Sequence, residues 1–183
     1  MGVDDVKALC AIARAVQKKY SLSRDNAFLT GHSNGGEMCY LMAFSKQDVF
    51  RAVAPLSGLL MTWIYKSMEA PRPIPVFELH GSLDTTSAME GDLTGEGGWG
   101  AYMPVPVAIN YFAARDRCLQ EKCDTIPGLT PENGRYVVRH RFTDGIDGLE
   151  NWLYVIVGGK HSWGTDDIDT GEECWKFFSK YLK

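Results

Sequence analysis

No apolar stretch in this sequence approaches the ~18 residues that suggest a membrane span. No run of lysine or arginine exceeds a pair, and the formal net charge is −4. Neither nucleic acid nor an anionic membrane is therefore expected as a partner. The five cysteines lack the paired spacing of a zinc site, and no H-E-x-x-H, P-loop or dinucleotide fingerprint occurs. No metal and no cofactor are expected. Internal repeats and low-complexity segments are also missing. The first twenty residues carry Asp4, Asp5, Lys7, Arg14, Lys18 and Lys19, which is not the pattern of an export signal.

What is present fits one folded domain over residues 1–183. Hydrophobic residues make up 45% and charged residues 23%, an ordinary balance for a globular chain long enough to bury a core. Val3, Val6, Leu9, Cys10, Ala13, Val16 and Tyr20 recur at three- and four-residue spacing and predict an amphipathic helix. Short apolar runs at 26–30, 50–56 and 74–79 predict buried strands, and 135–142 and 152–157 are two more candidates. Helical stripes follow Ser33, run from Val105 to Arg117, and close the chain from Glu172 to Leu182. Such alternation predicts a mostly parallel sheet with helices on both faces. The segments 89–104 and 118–134 read as long loops. Cys10, Cys39 and Cys174 fall in helical patterns and are expected as buried apolar residues. Cys118 and Cys123 are close enough for a local disulfide, with the alternative that both stay free.

The chemistry concentrates in Gly31-His32-Ser33-Asn34-Gly35, a G-x-S-x-G placed between a strand and a helix. A sharp turn there holds the serine hydroxyl above the sheet, and the small flanking residues let the backbone close up. Ser33 is the expected nucleophile, and the N–H of Asn34 the expected oxyanion donor. The bland alternative is a Gly-rich turn with a capping serine. Of four histidines, His32 adjoins Ser33 but would point away from it. His140 lies in an alternating strand, and His80 ends one. His161 follows the last strand, where this chain order places the base. Asp84, after the strand that ends near His80, is the expected acid, with Asp92 and Asp144 as competitors and an ordinary turn aspartate as the alternative.

Four segments in order carry a resemblance. They are Gly31-His32-Ser33-Asn34-Gly35-Gly36, Phe50-Arg51-Ala52-Val53-Ala54-Pro55, His80-Gly81-Ser82-Leu83-Asp84 and Gly159-Lys160-His161-Ser162-Trp163. Together they resemble the polyhydroxybutyrate depolymerase/feruloyl esterase (LpqC-like) family of α/β-hydrolases. The resemblance runs from Val3 through the final helix. It implies an α/β-hydrolase fold, a Ser33–Asp84–His161 triad and a secreted or periplasmic enzyme. It also implies a substrate cleft lined by Trp163, with Trp99 and His32 as further substrate-binding candidates. Trp63 is another aromatic candidate, though for Trp99 and Trp63 alike core packing is the plainer expectation.

The sequence departs from that family in one respect. Members begin with several strands ahead of the helix that opens this chain, including a loop that supplies a second oxyanion donor. The expectation is an N-terminally truncated fold with one sheet edge open to pairing. The expected activity is hydrolysis of carboxylic esters, such as feruloyl or acetyl groups on plant cell-wall polysaccharide, through an acyl-enzyme. Polyester depolymerisation, serine peptidase or acyltransferase chemistry, and a non-catalytic carbohydrate-binding remnant are the alternatives. Which acyl group and alcohol are recognised, and the oligomeric state, have no readable code.

Overall fold

The computed structural model describes residues 4–183; Val3, assigned above to the first helix, lies outside them. Helix α1 (Asp5–Lys19) is capped by Asp4, whose side chain accepts from the Lys7 N–H. Asp5 in its first turn and Lys18 and Lys19 in its last suit the helix dipole. Strand β1 (Leu29–His32) leads into α2 (Asn34–Phe44), then β2 (Val53–Leu56), a short α3 (Thr62–Ser67) and β3 (Phe77–Gly81). After a Gly-rich loop come α4 (Val105–Arg115), β4 (Gln120–Pro127), β5 (Tyr136–Thr143), β6 (Asn151–Val157) and α5 (Thr170–Ser179).

The six strands form one sheet in the order β1-β2-β3-β6-β5-β4. The first four in that order pair in parallel; β5 and β4 extend it antiparallel. Side-chain alternation divides the core into two layers. Val53, Val76, Leu153 and Val155 face α2, α3 and α4, meeting Tyr40, Phe44, Ile64, Ile109 and Phe112. Ala54, Leu56, Phe77, Leu79, Tyr154 and Ile156 face α5, meeting Cys174, Phe177 and Phe178. Both faces are thus covered, as parallel strands require. Helix α1 packs its Val6, Leu9, Cys10 and Ala13 stripe beside Met42, Val49 and Phe50.

The structure departs from expectation at residues 120–127 and at Cys10, adds a helix that the sequence did not announce, and decides the open state of Cys118 and Cys123. Residues 120–127 form a strand rather than part of a loop. All eight pair with β5, but most are exposed, so polar residues such as Gln120, Glu121, Lys122 and Asp124 conceal it from a hydrophobicity reading. Helix α3, six residues long, was also missed because it is too short to show a period. Cys118 and Cys123 are unpaired, as are the other three cysteines. Cys123 stands opposite His140 in the hairpin, while the Cys118 thiol lies near the Leu149 carbonyl and the Asn151 amide. Cys10 is only partly buried, whereas Cys39 and Cys174 are buried as expected. Among the described residues β1 pairs on one side only, with β2.

Candidate active site

The carboxyl ends of β1, β3 and β6 lie at the same end of the parallel sheet, where open α/β sheets bind ligands. Each strand delivers one polar side chain. Ser33, between β1 and α2, takes φ 56° and ψ −119°, a strained conformation for a non-glycine residue. Its N–H donates to the Leu56 carbonyl at 2.9 Å, and its own carbonyl accepts from Gly36 at 2.7 Å. The turn closes because Gly31 has no side chain: a Cβ there would lie 2.5 Å from the Gly35 carbonyl oxygen. Asn34 opens α2, so its N–H has no helical carbonyl to bond and is available to an anion.

Asp84 follows β3. Its Oδ1 accepts from the N–H groups of Thr86 (2.8 Å) and Ser87 (2.7 Å), and its Oδ2 lies 2.7 Å from Nδ1 of His161. The carboxylate is buried while the imidazole is partly exposed. That pairing sets the imidazole's tautomer: Nδ1 donates to the carboxylate and Nε2 keeps a free lone pair. The loops after β3 and β6 are stitched together by Leu83 N–H to the Gly159 carbonyl (2.8 Å) and Gly158 N–H to Ser82 Oγ (2.9 Å). Gly81 permits this approach, since a Cβ there would meet the Lys160 carbonyl oxygen at 2.5 Å.

His161 and Ser33 are not joined by a hydrogen bond among the described residues, a looseness common in ligand-free sites. The two competing acids are placed elsewhere. Asp92 organises its own loop, accepting from the N–H groups of Thr94, Gly95 and Gly97, which hold its carboxyl down at about 2. Asp144 sits in a turn at φ 58°.

A cavity of about 250 Å³ opens on Ser33 and is lined by Asn34, Glu37, Leu59, Thr86, Ser87 and Trp99. Trp99 therefore reaches the same cleft as Ser33. Trp163 instead stacks on His32, centroids 4.9 Å apart, and lines an apolar groove beside α5. His32 also lies 4.7 Å from the His161 ring. It does not point away from the site, as its position next to Ser33 suggested, but packs against the His161 ring. Burial first, and the neighbouring His161 second, push the His32 imidazole toward its neutral form. Trp63, on α3, is exposed and outside this lining. A larger hollow of about 430 Å³ at the end of α1, among Arg14, Gln17 and Leu22, contains none of these groups.

Sequence reasoning missed Glu78 and gave His80 no role. Both are fully buried under Asp84. The available signal was an acidic residue inside the apolar run Val76–Leu79, which burial allows only with partners. No group of three or more His, Cys, Asp or Glu is gathered to hold a metal ion among the described residues. Nor is any helix there long and apolar enough to cross a membrane.

The sheet order and the helices on both its faces define an α/β-hydrolase fold. A family model described as the prolyl oligopeptidase family matches residues 1–86, the part that holds Ser33 and Asp84. The chain is similar to feruloyl esterases C of Aspergillus. With the probable enzyme of Aspergillus clavatus it shares 27% identity over 180 residues, 97% of this chain and 58% of the relative. With that of Aspergillus flavus it shares 29% over 117 residues, 64% of this chain and 37% of the relative. The chain thus matches between about a third and three fifths of these relatives' length. A bifunctional acetylxylan esterase/xylanase of Neocallimastix patriciarum is 29% identical over 83 residues, 45% of this chain and 12% of that protein. Among solved structures, an acetyl xylan esterase from Aspergillus awamori superposes with a TM-score of 0.59 at 18% identity, covering 95% of this chain and 66% of that one. Esterase PE8 gives 0.55 at 15%, covering 95% and 59%. At those identities the superpositions establish the fold alone.

Proposed function

We propose that this chain carries the catalytic machinery of a serine esterase. The observation that carries the reading is the buried Asp84 carboxylate 2.7 Å from the partly exposed His161 imidazole, at the same end of the sheet as a serine held in a strained turn. In the mechanism, His161 Nε2 takes the proton from Ser33 Oγ as that oxygen attacks the ester carbonyl. The N–H of Asn34 donates to the oxyanion that forms. The tetrahedral species collapses, the bond to the alcohol breaks, and His161 gives its proton to the departing oxygen. Water, deprotonated by His161, then attacks the acyl-Ser33 carbonyl; the bond to Ser33 Oγ breaks, His161 returns its proton to that oxygen, and the acid is released. Asp84 holds the imidazole and stabilises its charged form without taking its proton.

The feruloyl and acetylxylan esterases among the relatives favour aromatic or acetyl esters of plant cell-wall polysaccharide as substrates, acted on outside the cell. Trp99 in the cleft offers an aromatic surface for either partner of the ester. A second reading, amide hydrolysis on the same machinery, has one observation in its favour: the prolyl oligopeptidase family model. Hydrolysis of 4-nitrophenyl acetate, methyl ferulate and peptide anilides by the chain and its Ser33→Ala variant separates the two. Ester turnover lost by a factor on the order of 10⁴ or more in the variant, with anilides untouched, is the expected result. Anilide cleavage at comparable rates would replace the esterase reading, and ester turnover surviving Ser33→Ala would remove Ser33 as nucleophile.

A further inference from the structure

Beneath Asp84 lies a second carboxylate–imidazole pair that the mechanism above does not use. Glu78 and His80 stand on β3, both with no exposed side-chain surface. A buried pair of this kind is tolerated only when every polar atom finds a partner. Glu78 Oε2 accepts from the Tyr40 hydroxyl at 3.1 Å. Its Oε1 accepts from the Gly58 N–H at 3.1 Å and lies 2.8 Å from His80 Nδ1. The other ring nitrogen, Nε2, is 2.7 Å from the Ser87 carbonyl oxygen and 3.6 Å from Asp84 Oδ2.

These contacts fix where the protons sit. A carbonyl oxygen only accepts, so His80 Nε2 carries a hydrogen toward Ser87. The line from Nδ1 to Glu78 then holds a single shared proton, and the ring has no freedom to rotate. Burial raises the Glu78 carboxyl; for His80, burial is outweighed by the hydrogen bond and the charge of Glu78, and the imidazole is raised as well. The far end of the chain matters most. Ser87, whose carbonyl His80 holds, is one of the two residues whose N–H groups grip Asp84 Oδ1. Tyr40, at the near end, belongs to α2, the helix that Ser33 immediately precedes. A continuous set of bonds therefore runs from the nucleophile's helix through Glu78, His80 and Ser87 to the acid and base.

We propose that His80, its tautomer fixed by Glu78, is a positioning residue: it holds the 84–87 turn so that Asp84 Oδ2 is presented to His161 Nδ1. This rests on the assignment of Asp84 and His161 made above. Glu78→Gln tests it without removing bulk. An amide at that place cannot both receive the Gly58 N–H and supply the proton that His80 Nδ1 needs in order to keep Nε2–H on Ser87. His80→Phe removes the bond outright, whereas His80→Gln places an amide N–H near the position of Nε2.

The experiment measures kcat and KM for 4-nitrophenyl acetate per Ser33 titrated with an organophosphonate, and the far-downfield proton resonance of the His161–Asp84 hydrogen bond. A small displacement of a reacting group costs up to about 100-fold, so His80→Phe and Glu78→Gln should lower kcat roughly 10- to 100-fold. KM should stay within about twofold, and His80→Gln should recover most of the loss. The resonance should shift or broaden in the first two variants and return in the third. A role in stability alone would lower the melting temperature yet leave kcat per titrated site and the resonance unchanged, which would overturn the proposal. So would a His80→Gln variant no better than His80→Phe. If His80→Phe does not fold, Glu78→Gln and His80→Gln still decide. A wild-type chain with no ester turnover would sink the esterase reading, while the resonance would still judge the positioning.

Discussion

Asp84, Asp116 and Asp124 each accept good hydrogen bonds, and their surroundings set them apart. Asp84, at the carboxyl end of the parallel sheet, is gripped by two backbone N–H groups on one oxygen and turns the other toward an ionisable, partly exposed imidazole. Asp116 caps α4 at the opposite end of the sheet and is fully buried. It accepts from the Ile74 N–H (3.1 Å) and the Asn151 amide (2.9 Å), tying the approaches to β3 and β6 together. Burial outweighs these two neutral hydrogen-bond partners and the charges of Arg115 and Arg72, and its carboxyl is pushed up to about 6. Asp124 lies in the β4–β5 hairpin, half-exposed between Arg139 and Arg141. The lesson is that surroundings decide the use: a buried carboxylate facing an imidazole can orient it, one facing amides becomes a fastening, and one paired with arginines in water contributes little.

The sharpest way to break this comparison is Asp84→Asn. Thr86 and Ser87 both present N–H groups to one side of this residue, so the asparagine must keep its oxygen there and turn its NH₂ toward His161. His161 Nδ1 is then forced to accept, its proton moves to Nε2, and Nε2 can no longer take one from Ser33. We expect kcat for 4-nitrophenyl acetate to fall on the order of 10⁴-fold with the fold intact. A rate within tenfold of wild type would show that the acid lies elsewhere.

Asp116→Asn should leave kcat alone and change stability in a pH-dependent way. The folded carboxyl titrates near 6, against a reference value of 3.8. Between those values the folded state holds the proton more tightly than the unfolded chain does. The contribution of Asp116 is therefore best below about pH 4 and is lost as pH rises through 6. Between pH 4 and pH 7 this amounts to about 2 kcal/mol. The variant cannot titrate there, and its amide also meets the Asn151 NH₂, whose orientation the Val76 N–H fixes at 2.8 Å. Urea unfolding across this range should show the difference between wild type and variant narrowing as pH rises. A difference that does not vary with pH would mean that Asp116 is not held in a raised state.

Much of this contrast was legible beforehand, and the division has a physical reason. The turns that carry Ser33, Asp84 and His161 were readable because their close approaches demand glycines at Gly31, Gly81 and Gly159, and glycine spacing survives in sequence. The apolar strands β2, β3 and β6 were readable because both their faces are covered. Strand β4 was not, since its stabilisation is backbone pairing with β5 rather than burial. The role of Asp116 and the Glu78–His80 pair were hidden for a different reason. Their partners come from residues 20 to 42 positions away, as in Tyr40–Glu78, Gly58–Glu78 and Ile74–Asp116, and nothing local records such a bond. His32 was misjudged because neighbours on a strand point to opposite faces, whereas the strained turn at Ser33 breaks that alternation.

The smallest effect is expected at Asp124, and it measures how independent the hairpin is. Asp124 Oδ1 accepts from Arg139 Nε at 2.7 Å, while Oδ2 accepts from Arg139 and Arg141 at 2.8 and 2.9 Å. The hydrogen bond from Arg139 draws the Asp124 carboxyl below its ordinary value. With water free to solvate all three charges, removal should still cost little. Arg139 keeps its contact over the Tyr154 ring, and the eight backbone-paired positions of the ladder do not depend on the carboxylate. Asp124→Ala should therefore lose about 0.5–1 kcal/mol at low salt, less at high salt, with kcat unchanged. A loss above about 2 kcal/mol, or one that salt does not reduce, would mean that the hairpin is braced against the core through this cluster. The exposed carboxylate would then belong with Asp116 as a fastening, and exposure alone would no longer distinguish the two ends of the sheet from its edge.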